Sequence, residues 1–439
     1  MSFEALSAEE RARIHAAALA LLEETGVKAP PALGRRLAEA GAGEMAGDRL
    51  RLAPAGVARA LQAAPRSVRL GARDAAREVL LDGRRTWAAT DGCAAKVRDL
   101  DAESPRPSTL ADVARSARLA DALPEFDVYW SMVSAQDVPR ERRVAAGYLT
   151  ALRNTAKHVQ MIDVARSLEA EQVASMARVL TDAGVVEGPA VSALVSVVSP
   201  LRLDPDGTEA ALVLAGAGLP VVCCSMTIAG VTAPATPAGN VLQAHAESLA
   251  LITVLQTVHP GAPVIYCSFA SYADPRTGAT NYDDPRAPWT AAAVAELGRG
   301  LGVPCFSSGG LLSLLAGPDL VSGGGLVETS TVLAYEQMVL DAASLRECRQ
   351  AALRPALDDD ALAVDVIRDA APGGHFLTRP HTLKHMKSLG LRRIGADDRG
   401  RAAQEARRLL ASHEVPPLPA RVDAALAELA EQPPREAQA

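Results

Sequence analysis

The chain has 439 residues, of which 49% are hydrophobic, and this length suffices for one large barrel with an added subdomain. The formal net charge of -7 is spread along the chain, so neither nucleic acid nor a membrane is expected as a partner. The N-terminus has no apolar signal segment, and no window of about 20 residues is predicted to cross a bilayer. The cysteines lack CxxC spacing. A globular protein with reduced thiols, located in the cytoplasm, is expected.

Residues 1–107 are predicted to form an N-terminal helical cap subdomain, because small helices and short strands alternate there without a regular order. The helices are expected at 8–26, 31–40 and 54–64, and the strand-like pieces at 50–52, 68–70 and 79–81. Thr109 and Asp112 then have the spacing of a capping box, which predicts a helix that reaches Leu123.

From there a regular alternation of strands and helices follows. Seven strands are predicted at 127–133, 158–164, 193–199, 221–225, 264–268, 303–307 and 320–323, and an eighth near 367–376. This rhythm, with no GxGxxG after a first strand, favours a (β/α)8 TIM barrel over a doubly wound sheet. The barrel is assigned to residues 108–400, and a C-terminal helical extension with a mobile polar tail to residues 401–439.

One strand–helix–strand unit, residues 219–287, is the most informative part of the chain. Two short β-branched runs flank the amphipathic stretch VLQAHAESLALITVLQTVHP. The loops that follow the two strands, 226–237 and 270–285, are longer than minimal turns. Because ligands of such folds bind in the loops after the strands, these loops are expected to shape a pocket.

The thiols suggest a second kind of site. Cys223 or Cys224, Cys267 and Cys305 lie on successive predicted strands, and together with His375 they could hold zinc and activate a thiol. Small buried thiols more often pack as apolar side chains, so no metal ligand is assigned.

Several long phrases are typical of one protein family: RPSTLADVARSARLADALPEFD, SPLRLD, AGVTAPATPAGN, HPGAPVIYCSFASYADPRTGA, VPCFSSGG and GGHFLTRPHTLKH. Through them the chain resembles the trimethylamine methyltransferase (MttB) superfamily over residues 8–415. It is most similar to members that lack pyrrolysine, such as glycine betaine methyltransferases.

The resemblance implies a corrinoid-dependent methyltransferase. Such an enzyme moves a methyl group from a small methylated amine, here a quaternary one, to the Co(I) of a separate corrinoid protein. The corrinoid (cobalamin) is carried by that partner, so no tightly bound cofactor is expected, and a homo-oligomer is expected. Because a quaternary nitrogen is already cationic, no covalent enzyme intermediate is needed.

Seven side chains near predicted strand ends are the candidate site residues. The catalytic candidates are His375 and Glu328, and the substrate-binding candidates are Tyr129, Tyr266, Phe269, Phe306 and Glu336. Aromatic faces suit a quaternary ammonium group, and a carboxylate can balance its charge. Trp130, Tyr272 and Phe376 are further aromatic candidates, although any single aromatic residue could be core filling.

The chain departs from the resembled family after VPCFSSGG, which is taken as the sixth strand. Relatives continue there with a TDSK-type loop and the start of a helix, whereas Gly310 runs directly into Leu311. Either the loop is deleted or this sequence lacks a segment of a longer one. An open mouth and weak turnover are expected. Two alternative functions stay open: a relative that binds a betaine-like ligand or a corrinoid partner without catalysis, and a zinc-thiolate methyltransferase.

Overall fold

A computed structural model of the protein describes residues 3–162, 164–352, 356–370, 372–388 and 398–432. Eight parallel strands form its centre: β1 (Trp87–Ala88), β2 (Val128–Trp130), β3 (His158–Met161), β4 (Val191–Val197), β5 (Val221–Ser225), β6 (Val264–Ser268), β7 (Cys305–Ser308) and β8 (Leu320–Ser322). They lie in the order β1-β8-β7-β6-β5-β4-β3-β2. A bridge from Ala89 to Val128 joins the two end strands, so the sheet closes into a barrel.

A helix follows each strand and covers the barrel. These helices are α1 (Leu110–Ala122), α2 (Arg140–Asn154), α3 (Ser167–Asp182), α4 (Pro205–Gly216), α5 (Pro237–Val258), α6 (Ala287–Leu301), α7 (Leu311–Ala316) and α8 (Tyr335–Ala352). The predicted (β/α)8 barrel is therefore confirmed. The capping box that begins α1 is also present, since Asp112 accepts hydrogen bonds from the Thr109 N–H and hydroxyl.

The N-terminal segment forms helices Ala8–Glu24, Pro31–Glu39 and Pro54–Ala63, a three-stranded sheet of Val27–Lys28, Gly43–Ala46 and Arg49–Leu52, and a hairpin of Val68–Leu70 with Val79–Leu81. The hairpin packs Leu70 and Leu81 against interior barrel residues such as Val222 and Ile265. Its neighbour Gly71 bonds to Pro189, just before β4. The hairpin therefore closes the N-terminal end of the barrel and leaves the other end as the mouth.

The prediction of the eighth strand at 367–376 is wrong. The described residues of that range are the end of helix Val364–Ala370 and the non-strand segment 372–376, and Ile367 and Phe376 are exposed. The missing strand is β1, which lies inside the segment predicted as a cap and makes VPCFSSGG the seventh strand. A two-residue strand is too short to show alternation, which is why the sequence does not reveal it. The division into three domains stays a prediction.

The chain after α8 forms two separate parts. Helices Asp359–Leu362, Val364–Ala370 and Pro380–Ser388 come first, and helices Arg399–Ser412 and Ala420–Glu431 follow. The last two pack on the outside of the barrel, where Asp423 pairs with Arg153 of α2 at 2.7 Å. The predicted C-terminal helix is thus present. Residues 433–439, on which the predicted mobile polar tail falls, lie outside the described residues.

Helix α5 corrects one expectation. It is the one helix in the described ranges that is long and apolar enough to cross a membrane, although the sequence analysis expected no such window. Of its most apolar 18-residue window, 83% is buried inside the protein. The helix lies between the barrel and helices Ala8–Glu24 and Pro54–Ala63, and this packing explains its apolar character.

Acid should destabilise the protein through two buried histidines. His245 on α5 lies 3.0 Å from both His15 and the Tyr266 hydroxyl, and His158 on β3 is likewise fully buried. Burial lowers the pKa of His245 to about 3 and that of His158 to about 4. As pH falls below about 6.5, the unfolded chain binds protons that the folded chain excludes. Each histidine should therefore lower the free energy of unfolding by up to about 1.4 kcal/mol for every pH unit below that value.

Urea denaturation between about pH 7 and about pH 5 measures this slope. We expect the free energy of unfolding of the unmodified protein to decrease steadily as the pH is lowered. In His245→Gln this decrease should be less steep. His375→Gln is the control substitution, because His375 is an exposed histidine outside the barrel. An identical slope in His245→Gln would contradict this account.

Candidate active site

Strand alternation decides which side chains face the barrel interior. Residues paired in register point to the same face of a sheet. Cys224 pairs with Cys267, Cys267 with Phe306, and Phe306 with Leu320, and all four belong to the core cluster inside the barrel. The residues between them, such as Tyr266 and Cys305, therefore point outward to the helices.

Three aromatic rings pack together inside the barrel, and we call Trp130, Phe269 and Phe306 the interior aromatic cluster. Trp130 stacks on Phe269 with ring centroids 5.6 Å apart, and the Phe269 and Phe306 rings meet edge to face at 5.2 Å. Trp130 also meets Phe306 edge to face at 5.6 Å. Such a cluster presents both aromatic faces and aromatic edges, and the faces attract cations.

Two hydrogen-bond donors beside this cluster have no partner. The Nε1 atom of Trp130 and the Nε2 atom of Gln160 are buried and make no hydrogen bond within the described structure. The two residues are paired in register on β2 and β3, so they are neighbours on the interior face. Leaving a buried N–H unpaired costs about 1–3 kcal/mol, which a ligand with acceptor atoms would recover.

A carboxyl group lies at the mouth of the barrel, three residues after β1. Asp91 is partly buried, accepts a hydrogen bond from the Gly92 N–H at 3.0 Å and another from the Ser330 hydroxyl at 3.2 Å. Burial raises the pKa of Asp91 to about 6, and the nearby Asp341 acts in the same direction. A cation bound beside Asp91 would favour its ionised form.

The loops around the mouth form two small sheets. One contains Ile228–Ala229, Ser271–Ala273 and Thr280–Asn281, and the other contains Leu326–Val327, Val332–Ala334, Lys96–Arg98 and Arg106–Pro107. Tyr282 follows the first sheet. Burial of its hydroxyl, together with the proximity of Asp91 and Cys224, raises the pKa of Tyr282 to about 12.

The connection between β7 and the helix that follows it is short. Helix α7 has six residues, and only Gly309 and Gly310 separate it from β7. A cavity of about 290 Å³ lies beside this connection, between β1 and β8 on one side and helix α8 on the other. Its lining includes the two glycines, Asp91 and Ser322, and Asp341, Ser344, Leu345 and Cys348 of α8, but none of the three rings of the interior aromatic cluster. The short connection agrees with the missing loop, and the open wall that the sequence analysis expected here stays a prediction.

The structure separates the aromatic candidates into two groups. Phe269 and Phe306 lie in the interior aromatic cluster. Tyr129 and Tyr266 do not reach the interior, because their hydroxyls bond outward to the Ser116 hydroxyl at 2.9 Å and to His245 at 3.0 Å. We therefore do not assign these two tyrosines to a substrate.

The three remaining candidate site residues, Glu328, Glu336 and His375, also lie apart from the interior aromatic cluster. Glu328 is exposed at a hairpin tip, where residues 328–330 all have positive φ angles, and its second neighbour Ser330 contacts Asp91. Glu336 is buried and accepts a hydrogen bond from Arg98 at 2.8 Å, so its charge is already paired. His375 is exposed on the segment after α8 and bonds to no barrel residue in the described ranges.

The thiol and glycine motifs have structural explanations. Cys267 faces the interior whereas Cys305 faces α6, so the pleat separates two members of the proposed zinc set. A Cβ on Gly324 would lie 2.3 Å from the Phe126 ring, and one on Gly325 would lie 2.4 Å from Met338. Close packing therefore accounts for the lack of a side chain at these two positions.

Sequence reasoning missed Asp91 and Gln160 as site residues, and it included Tyr282 only as part of the loop 270–285 that was expected to shape a pocket. Asp91 could have been found in the phrase WAATDG as the first carboxylate after a strand, had the strand been recognised. Gln160 could have been found as well, because it is a polar residue within the predicted strand 158–164. Taken together, the closed barrel, the interior aromatic cluster and the carboxyl at its mouth have the arrangement of a (β/α)8 enzyme site.

The comparisons give the family. A profile of the family described as trimethylamine methyltransferase (MTTB) matches residues 1–389. The chain therefore belongs to the trimethylamine methyltransferase family, and it is a methyltransferase.

Two curated relatives are similar over most of the chain. The trimethylamine methyltransferase MttB of Desulfitobacterium hafniense (strain DSM 10664 / DCB-2) is 28% identical, covering 97% of this chain and 93% of the relative. The glycine betaine methyltransferase of Desulfitobacterium hafniense (strain Y51) is 30% identical, covering 87% and 84%. Among solved structures, the Methanosarcina barkeri monomethylamine methyltransferase (MtmB) matches with a TM-score of 0.56 and 12% identity over 94% of this chain and 90% of that one. This last likeness supports the barrel fold alone.

Proposed function

We propose that the protein transfers a methyl group from a quaternary ammonium carboxylate, of the glycine betaine type, to the Co(I) of a separate corrinoid protein. The observation that carries this proposal is the interior aromatic cluster, which includes one unpaired N–H donor (Trp130) and pairs in register with another (Gln160), in a barrel of this family with the Asp91 carboxyl at its mouth. A betaine offers a cation for the aromatic faces and a carboxylate for the donors.

The cationic head group suits the faces of Trp130 and Phe269 near the mouth. A quaternary ammonium group desolvates easily because it has no N–H, and cation–π contacts contribute about 0.5–2 kcal/mol each. Asp91 supplies the opposite charge. The substrate carboxylate suits Gln160, whose side-chain N–H groups lie unpaired next to Trp130.

The chemistry of a quaternary substrate matches what these residues offer. In the transfer the N–CH₃ bond breaks and its electron pair stays on nitrogen, which leaves as a neutral tertiary amine. The Co(I) of the partner is a substrate of the reaction and supplies the electron pair of the new C–Co bond. No proton moves, so the protein is not required to provide an acid or a base. Its contribution is to orient the methyl group toward the mouth and to exclude water.

The rim of the mouth supports docking of a protein that carries the methyl acceptor. Four exposed apolar side chains follow four consecutive strands, β4, β5, β6 and β7. Three lie on loops and the fourth is the first residue of α7: Val198, Val231, Tyr282 and Leu311. Exposed apolar patches of this kind commonly mark protein contacts. A location in the cytoplasm and assembly into a homo-oligomer belong to the same proposal, and no resident cofactor is part of it.

Methyl transfer to reduced cobalamin tests the proposed reaction. We expect glycine betaine to be demethylated to a tertiary amine, with the cobalt absorbance shifting as Co(I) is consumed, and trimethylamine to react far more slowly. Phe306→Ala should weaken the binding of glycine betaine, whereas Tyr266→Ala should change stability but not affinity. Transfer from trimethylamine alone would overturn the substrate assignment.

One observation, the short connection at Gly309 and Gly310, supports an alternative function: a relative that binds its ligand without catalysis. Loss of a loop beside the mouth would leave the substrate poorly shielded from water, so turnover would be weak or absent. Calorimetric binding of glycine betaine without any methyl transfer to Co(I) would support this alternative.

The partner surface has its own test. Val231→Glu combined with Leu311→Glu should raise the KM for the corrinoid protein by about 10-fold, because two charges would enter an apolar contact. Transfer to free cobalamin should stay unchanged. Leu80→Glu is the matched control, since Leu80 is 41% exposed on the hairpin at the opposite end of the barrel. An equal effect of Leu80→Glu would argue against docking at the rim.

A further inference from the structure

A group of metal-binding side-chain types lies outside the barrel, on the segment after α8. The ligand atoms of Asp360, His381 and His385 all lie within 4.8 Å of one another, and within the described part of the chain this is the only such group. The two histidines are four residues apart on helix Pro380–Ser388, so both lie on one face with their rings 4.3 Å apart. Asp360 comes from helix Asp359–Leu362 and faces them.

The hydrogen bonds of the group prepare it for a metal. The Nε2 atom of His381 lies 2.8 Å from the backbone oxygen of Asp360, so this nitrogen donates its hydrogen and Nδ1 keeps a lone pair. Metal-binding histidines commonly use their second nitrogen in this way. The Nε2 atom of His385 lies 3.1 Å from Oδ2 of Asp360, which brings the carboxylate to the imidazole.

The surrounding segment lacks a hydrophobic core of its own. We call residues 356–370 and 372–388 the arm. Ala370 is the only buried side chain described on the arm, and six large apolar side chains are about half or more exposed: Leu357, Leu362, Val364, Ile367, Leu377 and Leu383. Segments of fewer than about 40 residues that cannot bury apolar surface commonly depend on a metal or a disulfide for a fixed structure.

We propose that the arm binds one divalent transition metal ion of the zinc, cobalt and nickel class through His381, His385 and Asp360. Two imidazoles and one carboxylate suit these borderline metals, and water would complete the coordination. The ion holds helix Pro380–Ser388 against helix Asp359–Leu362. Bonds of about 2 Å in a tetrahedral site place ligand atoms about 3.3 Å apart, so the three side chains close inward when the ion binds. The sequence predicts no metal site because Asp360 is 21 residues from His381.

Lys384 distinguishes a metal site from an ordinary ion-pair cluster. Its ammonium group lies 2.7 Å from Oδ2 of Asp360 and is 64% exposed. In a metal site Lys384 competes with the ion for the carboxylate, and it swings into solvent when the ion binds. In an ion-pair cluster Lys384 is instead one of the groups that hold the arm together. The variant Lys384→Ala therefore has opposite consequences in the two cases.

The test uses the untagged full chain, stripped of metal with a chelator that is then removed. Calorimetric titration with Zn²⁺, and visible spectroscopy with Co²⁺, should show one ion per chain with imidazole ligands. His385→Ala and Asp360→Asn should each weaken binding by about 10-fold or more, and Lys384→Ala should leave it equal or tighter. Trypsin cleavage after Arg368 and Lys384 of the unmodified chain should slow when Zn²⁺ is present.

His375→Ala is the control, because His375 is a third arm histidine outside the group and should keep full affinity. The proposal is overturned if no stoichiometric ion binds, or if His381→Ala combined with His385→Ala binds metal as the unmodified chain does. It is also overturned if Lys384→Ala weakens binding as much as His385→Ala. These outcomes do not depend on methyl transfer, so they are independent of the proposed function.

Discussion

The Asp91→Asn variant is expected to lower kcat/KM for glycine betaine by about 100-fold, through a rise in KM. A carboxylate about 5 Å from a cation in a partly buried site contributes about 2–3 kcal/mol, which corresponds to this factor. The pKa of Asp91 is raised to about 6 by burial, so the group is ionised above that pH and neutral below it. The unmodified enzyme should therefore lose affinity for glycine betaine as pH falls through about 6. The affinity of Asp91→Asn should not change with pH in this range.

Stability distinguishes this role from a structural one. Because the folded-state pKa of Asp91 is raised, folding favours the protonated form, and ionisation at neutral pH costs stability. Asp91→Asn should therefore leave the free energy of unfolding at neutral pH unchanged or raised while activity falls. Asp319→Asn is the control: Asp319 is also buried with a raised pKa, but it lies at the other end of the barrel, where it accepts the Cys305 N–H at 2.9 Å. A normal KM in Asp91→Asn would exclude Asp91 as the counter-charge.

The Arg106→Met variant is expected to reduce the free energy of unfolding by about 3 kcal/mol. Arg106 donates to both oxygens of Asp112, at 2.7 and 2.9 Å, and the Tyr335 hydroxyl donates to Asp112 at 2.8 Å. These contacts tie the loop after β1 to the first turns of α1 and α8. Without Arg106 the fully buried Asp112 carboxylate loses its cation. Removing one partner of a buried ion pair costs about 3–5 kcal/mol of stability, and we expect the low end of this range because Arg106 is 37% exposed.

The pH dependence of this contribution follows from Asp112. Burial alone would raise its pKa, but the hydrogen bonds from Arg106, Thr109 and Tyr335 outweigh that and lower it to about 2. The stabilisation is therefore complete above the ordinary range of an aspartate and is lost as pH falls toward about 2. Denaturant titration of Arg106→Met against Arg115→Met measures the effect. Arg115 pairs with Asp99 at 3.9 Å and is 56% exposed, so its loss should cost less than about 1 kcal/mol. Equal losses in the two variants would contradict the predicted role of Arg106.

The sequence determined the barrel because its signals are local. Seven of the eight strands are runs of apolar and β-branched residues followed by helical spacing, and the start of α1 has a capping box. These patterns reflect backbone geometry within a few residues, so they are readable without a structure. The family phrases likewise lie in contiguous stretches, which is why the resemblance to the trimethylamine methyltransferase family could be found and is confirmed by the comparison.

Only the tertiary structure decided which residues share the site. Tyr266 and Phe306 are both aromatic residues on buried strands, and the pleat alone sends the first to His245 and the second into the interior. Asp91 joins the mouth because the two-residue strand β1 closes the barrel between β8 and β2, a pairing between distant parts of the chain that no local pattern encodes. Composition and periodicity record the conformation of each segment, whereas the site depends on register and on closure of the sheet, which are set by contacts far apart in sequence.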